Sequence, residues 1–486
     1  MELSLVDMVI QNDMVSIKDK HDGRQSPERQ PQGLCMPKPF REGVLRLQAA
    51  QPCPGGGAYM LQLNDFDGLS VTLLVQPEST RGMEALGSVH RAWQPGASDE
   101  FSRRTDSNSS ALYFYYYGML QHQQNMLQDH VRTGAYHAAM MENATDFQGK
   151  AVMDVGCGSG ILSFFAAQAG ARVVYAVEAS EFARYAERLV KTNPVLGSRI
   201  KVIKGRVEEI TLPEQVDVLV SEPMGTLLVN ERMLETYIYA RKHHLVPGGK
   251  LFPTNGTIYM AAFSDAALWN EVSNKSAFWM HDNFYGVDLG ALTEEARMSS
   301  FAQPVIDQIP PQVLVSNSVV QTFDFQTLDE SDLLNFEIKL SLQVSRPCTV
   351  HGVAAWFDVG FVGTSCTRTL STSPGNPLTH WYQMRAVLRE PITVSRAGET
   401  ITGTMRFRAH NRQSYDLILD IGRSRQVYDL KEPYYRQLVH SYDPAVLDGM
   451  AGGVAGGFGG DAAGGRMYSS RCDASPASPG EETWWV

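Results

Sequence analysis

Apolar runs broken by turn residues dominate the middle of the chain. Val152-Met153-Asp154-Val155 leads into Gly156-Cys157-Gly158-Ser159-Gly160, and Ile161, Leu162, Phe164, Phe165 and Ala166 follow at helical spacing. This predicts a buried strand that turns through glycines into a helix. Val173 to Val177 predicts a second strand with Glu178 at its carboxyl end, and Val216 to Ser221 a third, followed by Glu222. Residues 97–249 alternate helix and strand signals, which predicts a doubly wound parallel sheet. From 250 to 441 the pattern changes to strands, as in Phe336 to Leu342 and Gly352 to Val359, and predicts a β-barrel or sandwich. The fold class is thus α/β followed by β.

The flanks read differently. Residues 1–39 mix charges with Gln, Pro and Gly and are expected to be flexible. Residues 40–96 hold alternating runs such as Val44-Leu45-Arg46-Leu47, Tyr59 to Leu63 and Val71 to Val75, then Met83, Leu86, Val89 and Trp93 on one helical face. A small β-rich module closed by one helix is expected. The Gly, Ala, Ser and Pro tail at 442–486 is expected to be disordered.

The glycine turn sits where α/β sheets bind nucleotides, because residues without side chains let the backbone approach a ligand beside a helix N-terminus. Glu178 is placed to accept from both hydroxyls of a ribose. Nicotinamide enzymes share this layout, but their spacing is G-x-G-x-x-G, whereas here Ile161 follows G-x-G-x-G. The acids decide between them. Pro223 and Gly225 turn the chain back after Glu222, which brings Glu231 toward the same edge. Two ionised acids in one pocket repel unless a cation lies between them, and a planar guanidinium fits carboxylates bidentately.

With 486 residues, 43% hydrophobic and 20% charged, the chain is long enough for two or three globular domains. The net charge of −11 fits basic protein tails better than nucleic acid, so direct nucleic-acid binding is not expected. Six cysteines without a C-x-x-C pair argue against structural zinc and a disulfide scaffold, and for a reducing compartment. No metal site is expected. Without a signal segment or a bilayer-length apolar run, no membrane association is expected either.

These residues resemble the type I protein arginine N-methyltransferases, most closely the coactivator-associated branch. The resemblance runs from about Phe101 to Arg436. It rests on Tyr113-Phe114-x-x-Tyr117, Gln123 to Gly134, the glycine turn, the double-glutamate loop Ser221 to Leu234, and Thr379-His380-Trp381-Tyr382-Gln383. It implies a Rossmann-like sheet, a barrel with a dimerisation arm at about 266–300, and a pleckstrin-homology-like module at the N-terminus. S-adenosyl-L-methionine is the implied methyl donor. The implied acceptors are arginine-containing tails of proteins such as histones and RNA-binding proteins, modified in nucleus and cytoplasm by a homodimer.

Residue by residue, the resemblance implies Glu222 and Glu231 as the catalytic acids and His380 with Asp129 as a route for the departing proton. Phe101, Tyr113, Gln123, Arg132, Gly156, Gly158, Glu178, Glu208 and Thr236 match positions around the cofactor, Arg132 gripping its carboxylate. Tyr117, Met126 and Met224 match the substrate channel, and the two methionines imply asymmetric dimethylarginine. Phe114 is expected to serve only the core. An enzyme acting on a small cation and an inactive scaffold are the alternatives; the latter is expected to lose Glu222, Glu231 or the glycines, and none is lost.

Overall fold

The computed structural model describes residues 100–436 in full and, before them, the backbone of five strands. These are β1 (Val6–Gln11), β2 (Met14–Asp19), β3 (Gly43–Pro52), β4 (Tyr59–Asn64) and β5 (Ser70–Val75), paired in sequence order as one antiparallel sheet. Strands β1 and β2 fall inside the segment expected to be flexible. Their period-two alternation, with Val6, Met8 and Ile10 on one strand and Val15 and Ile17 on the next, is a strand signal masked by the polar composition around it. The helix expected near Met83 to Trp93 and the tail at 442–486 lie outside the described residues.

The helices that precede the parallel sheet include α1 (Glu100–Arg104), α2 (Ser107–Tyr117), α3 (Leu120–Gln128) and α4 (His130–Glu142), the last followed by a single turn at Ala144–Phe147. Asp106 caps α2 by accepting from Ser109 N at 2.9 Å. Asp129 breaks the chain between α3 and α4 and caps α4 by accepting from Arg132 N at 2.8 Å.

The sheet contains β6 (Ala151–Val155), β7 (Val173–Glu178), β8 (Ile200–Lys204), β9 (Val216–Ser221) and β10 (Leu245–Phe252), in the order β10-β9-β6-β7-β8 with every pair parallel. Every residue of β6 and β7 is buried, which explains their unbroken apolar runs. Helix α5 (Ile161–Gln168) follows the glycine turn and α6 (Ala183–Thr192) follows β7. Helix α7 (Met233–His244) leads into β10. The chain order reverses between β6 and β9, so the carboxyl ends of β6, β7 and β9 frame one crevice.

From Asn255 two largely antiparallel sheets share a hydrophobic core, as the strand-rich pattern predicts. One is built around β11 (Asn255–Phe263), β15 (Cys348–Val362) and β17 (Gln383–Val394), with β12 (Val305–Asp307), β13 (Val319–Asp324) and β16 (Thr367–Ser371) beside them. The other orders β14 (Asn335–Gln343), β18 (Thr400–His410), β19 (Ser414–Ile421) and β20 (Ser424–Asp429). Between β11 and Val305 an excursion of two helices, Ala266–Asn274 and Thr293–Ala302, carries Phe278, Met280, Phe284, Tyr285 and Val287 exposed. Among the described residues no helix is long and apolar enough to cross a membrane.

Candidate active site

A cavity of about 1120 Å³, counting its open mouth, lies at the carboxyl ends of the parallel strands. Phe101, Tyr113, Tyr117, Gln123, Met126, Arg132, Gly156, Gly158, Glu178, Glu208, Glu222, Met224, Glu231 and Thr236 all line it. Asp129 and His380 form the hydrogen-bonded pair beside Glu222.

The glycine turn is held from β7: Gly156 N and Cys157 N donate to Val177 O at 3.0 and 2.9 Å. Glu178 continues the same strand, and its two oxygens accept from Gly158 N at 2.8 Å and Ser180 N at 2.7 Å. A buried carboxylate is thereby fixed at the mouth of the turn, where a ribose would lie. Gly158 has φ +52, and a Cβ there would stand 2.5 Å from Gln123 Oε1. Gln123 donates to Tyr117 O at 3.1 Å and so ties α3 to the end of α2. At the far side, Thr236 donates to Glu208 at 2.9 Å, and Arg104 bonds Thr236 at 2.5 Å, Glu208 at 3.3 Å and Glu235. Phe101 is buried, with the guanidinium groups of Arg104 and Arg206 5.2 and 5.0 Å from its ring centroid. Phe114 also lines the cavity and is only partly buried, which corrects its expected role as core alone.

The double-glutamate loop carries unusual strain. Leu227, Leu228, Glu231 and Arg232 have φ of 56, 69, 69 and 57°, a region that costs L-residues roughly 1–2 kcal/mol each. Burial of Leu227, Leu228 and Val229 and the buried Arg232–Glu235 ion pair at 2.9 Å hold it. Glycine is required at 225, since a Cβ there would meet Asn230 O at 2.3 Å. The loop aims Glu231 at the helical aromatics, where Tyr117 donates to it at 2.6 Å. Burial pushes the Glu231 carboxyl above its usual range against the opposing effect of Tyr117. Burial also lifts Tyr113 and Tyr117 well above theirs, and the charge of Glu231 adds to both.

Glu222 pairs with Arg132, so the acid expected to hold a cation and the base expected to hold a carboxylate meet across the cavity. The Arg132 Nε remains buried without a hydrogen-bond partner. Asp129 accepts from His380 N and from His380 Nδ1, both at 2.8 Å, which leaves Nε2 without the proton and 3.8 Å from Glu222 Oε1. Burial presses the His380 imidazole below its ordinary value, with Asp129 opposing. The hydrogen bonds from His380 and Arg132 hold Asp129 below the usual carboxylate range although burial works the other way. Met224 is fixed through its carbonyl, which accepts from Trp381 Nε1 at 3.0 Å.

Further residues around the cavity lie beyond the candidates that the sequence points to, Arg104, Asp154 and Gln413 among them. Arg104 braces the Glu208 and Thr236 side, Asp154 sits under the glycine turn bonded to Ser163 at 2.6 Å, and Gln413 enters from the antiparallel half. Only the acid at 154, unusual inside a buried apolar strand, carried a sequence signal.

The cavity fits S-adenosylmethionine on its own terms: an acid where a ribose would lie, a side-chain-free turn, and an unpartnered buried Nε on Arg132 for an amino-acid carboxylate.

Comparison with known proteins places this chain beside methyltransferases. Residues 254–423 match the model of the arginine methyltransferase oligomerization subdomain, and 130–242 that of ribosomal protein L11 methyltransferase. A probable histone-arginine methyltransferase CARM1 from Oryza sativa subsp. indica is 53% identical over 356 residues, covering 70% of this chain and 67% of the relative. The histone-arginine methyltransferase CARMER of Drosophila persimilis is 49% identical over 342 residues, covering 69% and 64%. The chain thus spans about two thirds of the length of these relatives. Among solved structures, Arabidopsis thaliana protein arginine methyltransferase 10 superposes with a TM-score of 0.60 at 32% identity, over 65% of this chain and all of that one. The Trypanosoma brucei PRMT1 enzyme–prozyme complex with AdoHcy gives 0.58 at 35%, over 64% and 98%.

Proposed function

The chain belongs to the protein arginine methyltransferase family, and from that premise we propose that it converts arginine in histone tails and RNA-associated proteins to mono- and asymmetric dimethylarginine. The carrying observation is that Glu222 and Glu231 line the same cavity as the Glu178 and Gly158 cradle. When bound, S-adenosylmethionine supplies an electrophilic methyl group on sulfur. Tyr113, Tyr117 and the strained loop position the acceptor arginine, and proximity provides much of the rate. Glu222 and Glu231 hold the guanidinium charge away from the attacking nitrogen, which keeps its electron density available. As it gains the methyl group, the acceptor nitrogen must give up one proton. His380 Nε2, unprotonated because Nδ1 donates to Asp129, faces Glu222 and receives that proton.

Met126 and Met224 on the cavity wall support the asymmetric product, since an unbranched side chain leaves room for a second methyl on one nitrogen. The exposed aromatics of the excursion after β11 support a head-to-tail homodimer, as does the match to an oligomerization subdomain. The names of the relatives support histones as substrates and action in the nucleus; the reducing-compartment signal extends this to the cytoplasm.

The test is a peptide methylation assay with mass spectrometry on Glu222→Gln and Glu231→Gln. Each variant keeps shape and removes charge. Each is expected to lose most turnover while calorimetry still reports cofactor binding. Near-normal turnover by either variant would overturn the mechanism, and methylation of small amines in preference to peptides would overturn the substrate class.

A further inference from the structure

Of the described residues lining the cavity, only Gln413 comes from the β-rich half of the chain, and its side chain carries a cost that packing does not repay. Its φ is 57°, and its side chain is buried to 3% exposure with Oε1 lacking any hydrogen-bond partner. An unsatisfied buried acceptor and a left-handed backbone both oppose folding. The three-residue loop between His410 and Ser414 accounts for the left-handed backbone, but nothing in the hairpin accounts for the unsatisfied acceptor, which at a ligand cavity points to a partner outside the chain.

The hairpin between β18 and β19 fixes where Gln413 lies. Ser414 Oγ donates to Asn230 Oδ1 at 2.6 Å, and His410 O accepts from Arg232 Nη1 at 3.0 Å. Residues 410 and 414 therefore grip the two neighbours of Glu231, and Gln413 is set against the double-glutamate loop. Asn411 O accepts from Asp106 N at 2.8 Å, which ties the same hairpin to the start of α2. The glycine turn takes its backbone hydrogen bonds from β7, and Glu178 holds Gly158 N and Ser180 N.

We propose that Gln413 is a specificity-determining residue whose carboxamide oxygen accepts an N–H of the acceptor guanidinium beside Glu231. A guanidinium group presents five N–H donors in a fixed fork. Two carboxylates neutralise its charge, and a neutral carbonyl accepts a further N–H without adding a third charge. An ammonium group lacks that fork, so the carbonyl favours arginine over lysine. This rests on the reading of the cavity as an arginine site.

Steady-state kinetics with an arginine peptide tests it on Gln413→Leu and Gln413→Asn. Leucine removes the acceptor; asparagine tolerates the left-handed backbone but is one methylene too short to reach. Both should raise the peptide KM about tenfold, equivalent to about 1.4 kcal/mol, with kcat little changed and the calorimetric Kd for S-adenosylmethionine within twofold. A loss of ground-state and transition-state binding in equal measure gives that split. Wild-type peptide KM in either folded variant, or a cofactor Kd rising as much as the peptide KM, would overturn the inference alone. Failure of the unsubstituted protein to methylate the arginine peptide would overturn the functional reading and this inference with it.

Discussion

Replacing Asp129 by asparagine changes one atom and tests the arrangement of the whole proton route. Asp129 accepts three hydrogen bonds of 2.8 Å: Arg132 N on one oxygen, and His380 N and Nδ1 on the other. Asparagine has one oxygen. If it stays on Arg132 N to cap α4, its amide group faces the two His380 donors and the imidazole must turn to its other tautomer, with the proton on Nε2. Hydrogen bonds to a charged acceptor contribute roughly 1.5–3 kcal/mol each. One of the two is partly recovered when Nδ1 accepts from the amide, and His380 is partly exposed, so a net loss of about 2 kcal/mol is expected in urea melts. Catalysis suffers more, because a protonated Nε2 cannot receive a proton; a drop on the order of 100-fold in kcat follows from losing a general base. Burial lowers the His380 pKa and Asp129 opposes that shift, so removing the carboxylate lowers it further. A depressed histidine contributes stability above its unfolded value near 6.5, lost as pH falls through the folded value. The acid limb of kcat/KM should therefore move to lower pH while the plateau falls. Peptide methylation from pH 5.5 to 9, with an imidazole NMR titration of His380, checks both. A wild-type plateau, or an acid limb displaced toward higher pH, would refute the reasoning.

Three other outcomes are expected. Glu178→Ala should weaken S-adenosylmethionine binding at least tenfold by calorimetry, since it also frees Gly158 N and Ser180 N from their acceptor; unchanged affinity in a folded variant would remove Glu178 from the cofactor site. Asp154 is fully buried, Oδ1 has no partner, and burial pushes its pKa up to about 7, with Glu178 adding to the rise. A raised acid contributes stability that is full below its unfolded value and lost as pH climbs through the folded one, on the order of 4 kcal/mol between about pH 4 and 7. Asp154→Asn should flatten that slope in urea melts, and an unaltered slope would assign it to other groups. Polar replacement of Trp279 and Phe284 should give monomers with weaker cofactor binding by light scattering and calorimetry, because Leu112 and Tyr115 on α2, 69% and 65% exposed, offer the apolar surface a second copy needs. An unsubstituted protein that is monomeric and fully active would end that idea.

What the sequence discloses here is whatever local physics dictates. Strands β6, β7 and β9 are legible because burial on both faces demands unbroken apolar runs, and their ends place Glu178 and Glu222 at the crevice without further information. The motifs of the resemblance name the other polar residues, but not how they pair. That Arg132 meets Glu222, that Tyr117 holds Glu231, and that Arg104 reaches across 132 positions to Thr236 are outcomes of packing, invisible to periodicity. The same limit explains Gln413, which reads as an ordinary turn residue in Asn411-Arg412-Gln413-Ser414 until the hairpin is seen to grip Asn230 and Arg232. Four non-glycine residues of the loop, Glu231 among them, sit in the left-handed region against their own preference, so local propensity points away from the loop's actual course. A loop whose local preferences are overruled needs bracing from outside. The hairpin and the buried Arg232–Glu235 pair supply it, so the antiparallel half helps shape the acceptor site as well as enclosing a core of its own.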